Sequence, residues 1–283
     1  MVDIEDIHLV TQLPQTGWFE GFALRPNGHI LVSRLDEPIL YTFDAEDQEA
    51  DPQELHTFSN ATGLINLCPL HGRHDEYAVI TGRPDIDAMV FDNRDYSVFR
   101  NRICALDIAT GVSSVLVEDD SMKAVEGEPF GLNRLRIAEG FVWFTNTSAG
   151  TLSRFPISID GPGIKATGPV QILCEDIEHC DGLAVAEDAS AVWTASMANG
   201  WLWQVDIDKE GDEVFATTLV IKEDMYSPTA VELAYANGKP RLYVVCNGER
   251  EKEQAWIKKD GSNPWTEFQN VTKSVEVSIS VDE

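Results

Sequence analysis

The sequence predicts an all-β chain folded as a β-propeller, and three observations carry that expectation. First, one order of segments recurs: a short apolar strand, a turn, an apolar strand ending in a small polar residue, a turn, an aromatic-containing strand, and a spacer leading to another strand. GFALRPNG–HILVSR–ILYTFD from Gly21, GLNRLRIAEG–FVWFTNTSAG–TLSRFPI from Gly131 and DGLAVAED–AVWTASMANG–WLWQVD from Asp181 are three such runs. Second, the period is roughly 40–50 residues with four strands in each, the spacing of propeller blades. Third, no stretch shows a helical period of useful length. A propeller brings the first strand of every blade to one axis. Residues far apart in sequence are then expected to face a single funnel, and function is sought there.

Taken in order, blade one runs from residue 21 to about 59 and reads FALRP, HILVSR, ILYTFD and ELHTFS. Blade two starts at Gly63 with GLINLC, EYAVITG, RICALDI and SSVLVE, and an Asp- and Arg-rich insertion at 83–101 separates its second and third strands. Blade three reads LNRLRI, FVWFTN, LSRFPI and QILC; blade four reads GLAVA, AVWTAS, LWQVD and ATTLVI. Blade five supplies AVELAY, RLYVVCN and QAWIKK, and its fourth strand is expected from IHLVTQL near the N-terminus, at about 6–13. That pairing would close the ring and leave no unpaired edge. Five blades are countable, and 1–283 is read as a single domain. Within 265–283 the alternating run SVEVSISV either pairs as an extra strand or trails.

Turn chemistry supports these divisions. Pro26-Asn27-Gly28, Ala138-Glu139-Gly140 and Asn237-Gly238 each fall between a first and a second strand, where a tight reversal needs positive φ. Trp143, Trp193 and Trp203 lie inside strands and are expected to pack between blades.

Composition bounds the function. The chain has 283 residues with 43% hydrophobic and 24% charged content, ordinary values for one large soluble domain. The net charge of −27 is not ordinary. It argues against nucleic acid, which basic stripes must neutralise, and against anionic membrane surfaces; its plain reading is a solubilising surface. No apolar run approaches the ~20 residues of a membrane span. The segment MVDIEDIHLV lacks a basic region followed by an apolar one, so no signal peptide is expected. Cys68, Cys104, Cys174, Cys180 and Cys246 form no CxxC pair and are read as reduced thiols of a cytoplasmic protein, with a Cys174–Cys180 bridge as the alternative. The sequons at Asn60, Asn146 and Asn270 are read as chance matches.

Four segments, matching in order across residues 15–250, carry a family resemblance: WFEGFALRPNGHILVS, GLNRLRI with FVWFTNTSAGTLSRFPI, DGLAVAED, and SPTAVELAY with RLYVVCNG. They resemble the senescence-marker-protein/gluconolactonase-like propellers, and within these a fungal secondary-metabolism branch that includes hetero-Diels–Alderases. The family is usually six-bladed, so a blade looks deleted or fused here. In metal-binding members a Glu, an Asn and an Asp from inner strands meet a divalent cation. Glu20, Asn133 and Asp181 stand in the matching places, and two carboxylates with an amide oxygen suit Ca²⁺. Each alone is ordinary turn chemistry; together they share one phase of three blades.

The neighbours of these residues depart from the lactonase pattern of Glu-Gly-Pro, Pro-Asn-Gly and Asp-Gly-Met. Here Gly21-Phe22, Leu132 with Arg134, and Gly182-Leu183 stand beside them. Arg134 either points into the funnel and pairs with Glu20 or Asp181 in place of a cation, or is a solvated blade-edge residue. Trp18, Phe130, Asn146 and Thr229 are the expected substrate contacts, and a few polar groups among aromatics suit a small, largely apolar metabolite.

Three readings follow. The first is an enzyme of secondary metabolism that promotes a cyclisation or (hetero-)Diels–Alder-type cycloaddition, with Glu20, Asn133, Arg134 and Asp181 as catalytic residues and no cofactor. The second is a lactonase-like hydrolase with one Ca²⁺ on Glu20, Asn133 and Asp181. The third is a non-catalytic scaffold, since fold does not fix function. No HExxH, GxSxG, Walker loop or dinucleotide fingerprint competes with them.

Overall fold

Apolar β-formers separated by turn residues dictate hairpins, and hairpins follow one another along the chain. The computed structural model describes residues 4–12, 19–34, 36–44, 47, 52–59, 63–69, 75, 77–82, 102–107, 112–126, 128, 130–160, 163–208, 213–221, 225, 227–236, 239–247 and 274–281. No α-helix occurs among them; one 3-10 turn stands at Asp120–Met122.

In chain order the strands are β1 (Ile4–Gln12), β2 (Phe19–Leu24), β3 (His29–Arg34), β4 (Ile39–Asp44), β5 (Gln53–Thr57), β6 (Gly63–Pro69) and β7 (Tyr77–Gly82). Then come β8 (Arg102–Asp107), β9 (Val112–Glu118), β10 (Leu132–Ala138), β11 (Phe141–Asn146), β12 (Thr151–Asp160), β13 (Gly163–Ala166) and β14 (Gln171–Cys174). The last are β15 (Cys180–Val185), β16 (Ala191–Ser196), β17 (Trp201–Asp208), β18 (Glu213–Ile221), β19 (Pro228–Ala236), β20 (Lys239–Asn247) and β21 (Ser274–Val281). They build consecutive antiparallel meanders, the blades of a β-propeller.

The chain divides into two compact units, Met1–Asp92 with Glu223–Glu283, and Asn93–Lys222. In the first, β2-β3-β4-β5 form one sheet, β6-β7 a hairpin, and β19-β20-β21-β1 another sheet. In the second, β8-β9 form a hairpin, β10-β11-β12 a sheet extended by β13 and β14, and β15-β16-β17-β18 a four-stranded sheet.

The sheets are apolar on both faces, and strand alternation divides the side chains between two neighbours. In the first unit Ile30 and Val32 pack with Tyr243 and Val245 of β20, while Leu31 between them packs with Leu64 and Leu67 of β6. In the second, Val142 and Phe144 face Ile103 of β8, and Trp143 turns the other way, into Leu183, Val192 and Val205 of the next blade. This is why HILVS, FVWF and AVWTA read as continuous apolar runs rather than as alternation.

The expected turns bear out where they are described. Gly28 has φ +87°, and Glu139 and Gly140 have φ +48° and +74°; Asn237-Gly238 lies outside the described residues. The N-terminal strand pairs with β21, Ile4 opposite Val281. That makes SVEVSISV the third strand of the last blade, against β20, in the place assigned to QAWIKK, which lies outside the described residues. Alternation decides it: SVEVSISV carries a strict two-residue period and QAWIKK does not. Blade two is also corrected. Its segments pair as two separate hairpins, β6-β7 and β8-β9, in different units, and the 83–101 insertion between them lies outside the described residues.

Candidate functional site

Each first strand breaks its ladder close to its start. In β2 the register slips between Phe19 and Gly21, leaving Glu20 out of the pairing. In β10 it slips between Leu132 and Leu135, around Asn133 and Arg134. In β15 it slips between Cys180 and Leu183, around Asp181 and Gly182, and in β19 between Pro228 and Ala230, at Thr229. A bulge takes residues out of the ladder, sharpens the twist and re-aims side chains. Glu20, Asn133 and Asp181 each follow the first residue of their strand, the common phase that the sequence suggested; Thr229 stands likewise in β19, and Arg134 is one residue further along β10.

In the second unit the bulges of β10 and β15 are joined by two hydroxyls. Thr145 Oγ1 accepts from the Arg134 amide at 3.2 Å and donates to the Asp181 carbonyl at 3.0 Å. Thr147 Oγ1 accepts from Asn133 Nδ2 at 2.9 Å and donates to the Cys180 carbonyl at 2.8 Å. The backbone groups that the bulges release are thus satisfied by side chains. Above this lattice the Arg134 guanidinium stands beside the Asp181 carboxylate, Nε 3.8 Å from Oδ1, with both side chains about 5% exposed or less. Arg134 is therefore not a solvated edge residue but half of a buried ion pair.

Cys180 lies beneath the pair, its Sγ donating to the Asn146 carbonyl at 3.1 Å. Burial, reinforced by the Asp181 charge, pushes its thiol up to about 12, so it is no nucleophile near neutral pH. Cys174 and Cys180 both carry free thiols, so the Cys174–Cys180 bridge is absent. Asn146 is fully buried. Its Nδ2 donates to the carbonyls of Ser121 and Lys123 at 2.8 and 2.7 Å, and its Oδ1 accepts from Ala149 N at 3.1 Å. The amide expected to touch substrate is committed to the loop over the strand starts. Gly131 lets that loop close in: a Cβ there would lie 2.6 Å from Ala124 N and Met122 O. Phe130 is half-buried beside it, its carbonyl accepting from Ser148 N at 3.1 Å.

In the first unit Glu20 is half-buried. Thr229 is buried and its Oγ1 donates to the Phe19 carbonyl at 3.0 Å, tying β19 to β2. Ser33 Oγ fills the β2 bulge, accepting from Gly21 N and donating to Gly21 O, each at 3.1 Å. Trp18 lies outside the described residues.

The divalent cation implied by the resemblance needs Asp181 as a ligand. That carboxylate is already faced by a permanent guanidinium charge, and a second cation beside it would be repelled in a buried setting. The residues present do not fit a metal ion bound at Asp181. Among the described residues, no group of three His, Cys, Asp or Glu is arranged to hold one.

The threonines escaped the sequence reading because threonine is an ordinary strand former. The available signal was the pair's spacing: Thr145, in β11, and Thr147, just past its end, are two residues apart, the interval at which extended side chains share a face.

No protein-family model matches the sequence, and no curated protein matches it. Solved structures do. The chain is similar to the PQQ-bound aldose sugar dehydrogenase of Streptomyces coelicolor, with 14% identity over 100% of this chain and 98% of that one, at a TM-score of 0.50. A glucose dehydrogenase matches at 11% identity over 96% and 98% of the chains, TM-score 0.48. The calcium-binding protein regucalcin of Agrobacterium tumefaciens matches at 13% over 96% and 95%, TM-score 0.43. Likeness at such identity is likeness of fold, and the class is that of the β-propellers.

Proposed function

We propose that this propeller is a small-molecule enzyme that holds a largely apolar intermediate beside Arg134 and promotes a cyclisation or (hetero-)Diels–Alder-type cycloaddition without a metal. The observation that supports it is the buried Arg134–Asp181 pair at adjoining strand bulges. An electron-poor heterodiene reacts faster when a donor withdraws density from its carbonyl, and a guanidinium held in a low-dielectric setting is such a donor. Asp181 fixes the guanidinium. Most of the remaining acceleration comes from holding diene and alkene in an attack pose, for which Asn133 would orient the partners and Phe130 would form an apolar wall. A cytoplasmic setting and a small apolar metabolite as partner belong to the same reading.

The test is to generate an o-quinone methide in situ, add a cyclic terpene alkene and the purified protein, and follow adduct formation by chiral chromatography. We expect faster adduct formation with one stereoisomer enriched, lost in Arg134→Gln and indifferent to EDTA. Background rates and ratios would overturn the reading. Activity on lactones that falls with EDTA and returns with Ca²⁺ would establish the hydrolase instead.

A further inference from the structure

We infer that Thr145 and Thr147 are positioning residues that couple the bulge carrying Asn133 and Arg134 to the one carrying Asp181. Each hydroxyl accepts from β10 and donates to β15, so neither strand start can shift without breaking a bond that holds the other. Thr145 acts on the backbone at Arg134 and Asp181, the two ends of the ion pair. Thr147 acts on the Asn133 side chain and on the carbonyl just before Asp181. With its Nδ2 drawn to Thr147, the Asn133 amide is held in one orientation.

The fold alone does not demand these hydroxyls. In the next blade the residue opposite the β15 bulge is Ala195, and the one after the strand end is Met197. These are the register equivalents of Thr145 and Thr147, and both are buried and apolar. One blade therefore packs this position with apolar groups, while the other carries two hydroxyls that reach across to a neighbouring blade. The difference lies where Arg134 meets Asp181.

The role as stated for catalysis rests on the cycloaddition reading above; the coupling itself does not. The test uses Thr145→Val and Thr147→Val, which keep side-chain volume and remove only the hydroxyl, with Thr145→Ser and Thr147→Ser as restoring variants. Two readouts separate the claims. In a thermal-unfolding cycle, Thr145→Val combined with Arg134→Gln should shift Tm by less than the sum of the single shifts, the deficit being about 2–4 °C. With the o-quinone methide and terpene alkene as probe, Thr145→Val should lower kcat about tenfold with KM within about twofold, and the serine variant should recover most of it. Additive Tm shifts would overturn the coupling, whatever the turnover. Non-additive shifts with no turnover by the unaltered protein would uphold the coupling and sink the reaction. If Thr145→Val does not fold, Thr147→Val in a cycle with Asn133→Ala carries the same test, and additivity there overturns the inference equally.

Discussion

Arg134 and Asp181 set the energetics of the second unit's strand starts. Removing one partner of a buried ion pair leaves the other charge desolvated, at a cost of about 3–5 kcal/mol. We expect Arg134→Gln to lose stability of that order in denaturant unfolding and Arg134→Lys to lose less, since lysine keeps the charge but not the planar fork. Cys180 gives a pH dependence with a definite sign. Its thiol is raised from 9.0 to about 12 in the folded protein by burial, with Asp181 adding to it. The folded state therefore holds its proton more tightly, and that stability is complete below pH 9 and drains away as pH rises toward 12. Thermal midpoints should fall over this window, and the fall should shrink in Cys180→Ala; equal slopes in both proteins would show that the thiol is not responsible. At this scale the sequence already told that Glu20, Asn133 and Asp181 share a phase, because each opens the same strand of its repeat. It left Arg134 between two fates, since whether a cation is buried depends on the neighbouring blade. The bulges were hidden as well: a register slip belongs to two strands at once, and one strand's residues do not encode it.

The sheets built on β3 and β11 stand because each is covered on both faces. Trp143 is fully buried in the contact between β11 and the following blade. Trp143→Ala should therefore cost about 3–5 kcal/mol, read as a lower denaturant midpoint with a largely unchanged slope. At Gly131 any side chain meets loop backbone rather than a yielding side chain. Gly131→Ala should displace the 122–124 segment and cost about 1–3 kcal/mol by overpacking, and it should disturb Asn146, whose amide holds that loop. Strand existence was legible from apolar runs and turn residues such as Pro26-Asn27-Gly28. Strand partnership was less so. β7 and β8 read as neighbours in one blade but are paired elsewhere, because hydrogen-bonding edges leave no mark on either strand's own composition.

Across the whole chain the acidic balance and the pairing of its ends matter most. With a net charge of −27, self-repulsion opposes compaction, and screening shortens its reach to about 8 Å at physiological ionic strength. Moderate salt should raise the thermal midpoint; a midpoint that ignores salt would mean the charges are too dispersed to matter. Removing residues 1–12 should bare one edge of β21, lower Tm and promote self-association detectable by light scattering. That pairing was foreseen from IHLVTQL, since the last blade lacked an outer strand and ring closure supplies one.

Ile4 sits across the ladder from Val281, so first and last strands are neighbours rather than remote tails. A short peptide could splice them directly, and the backbone could then be reopened at the exposed Pro26–Asn27 hairpin tip. Such a circular permutant should fold with the same blades in a new chain order.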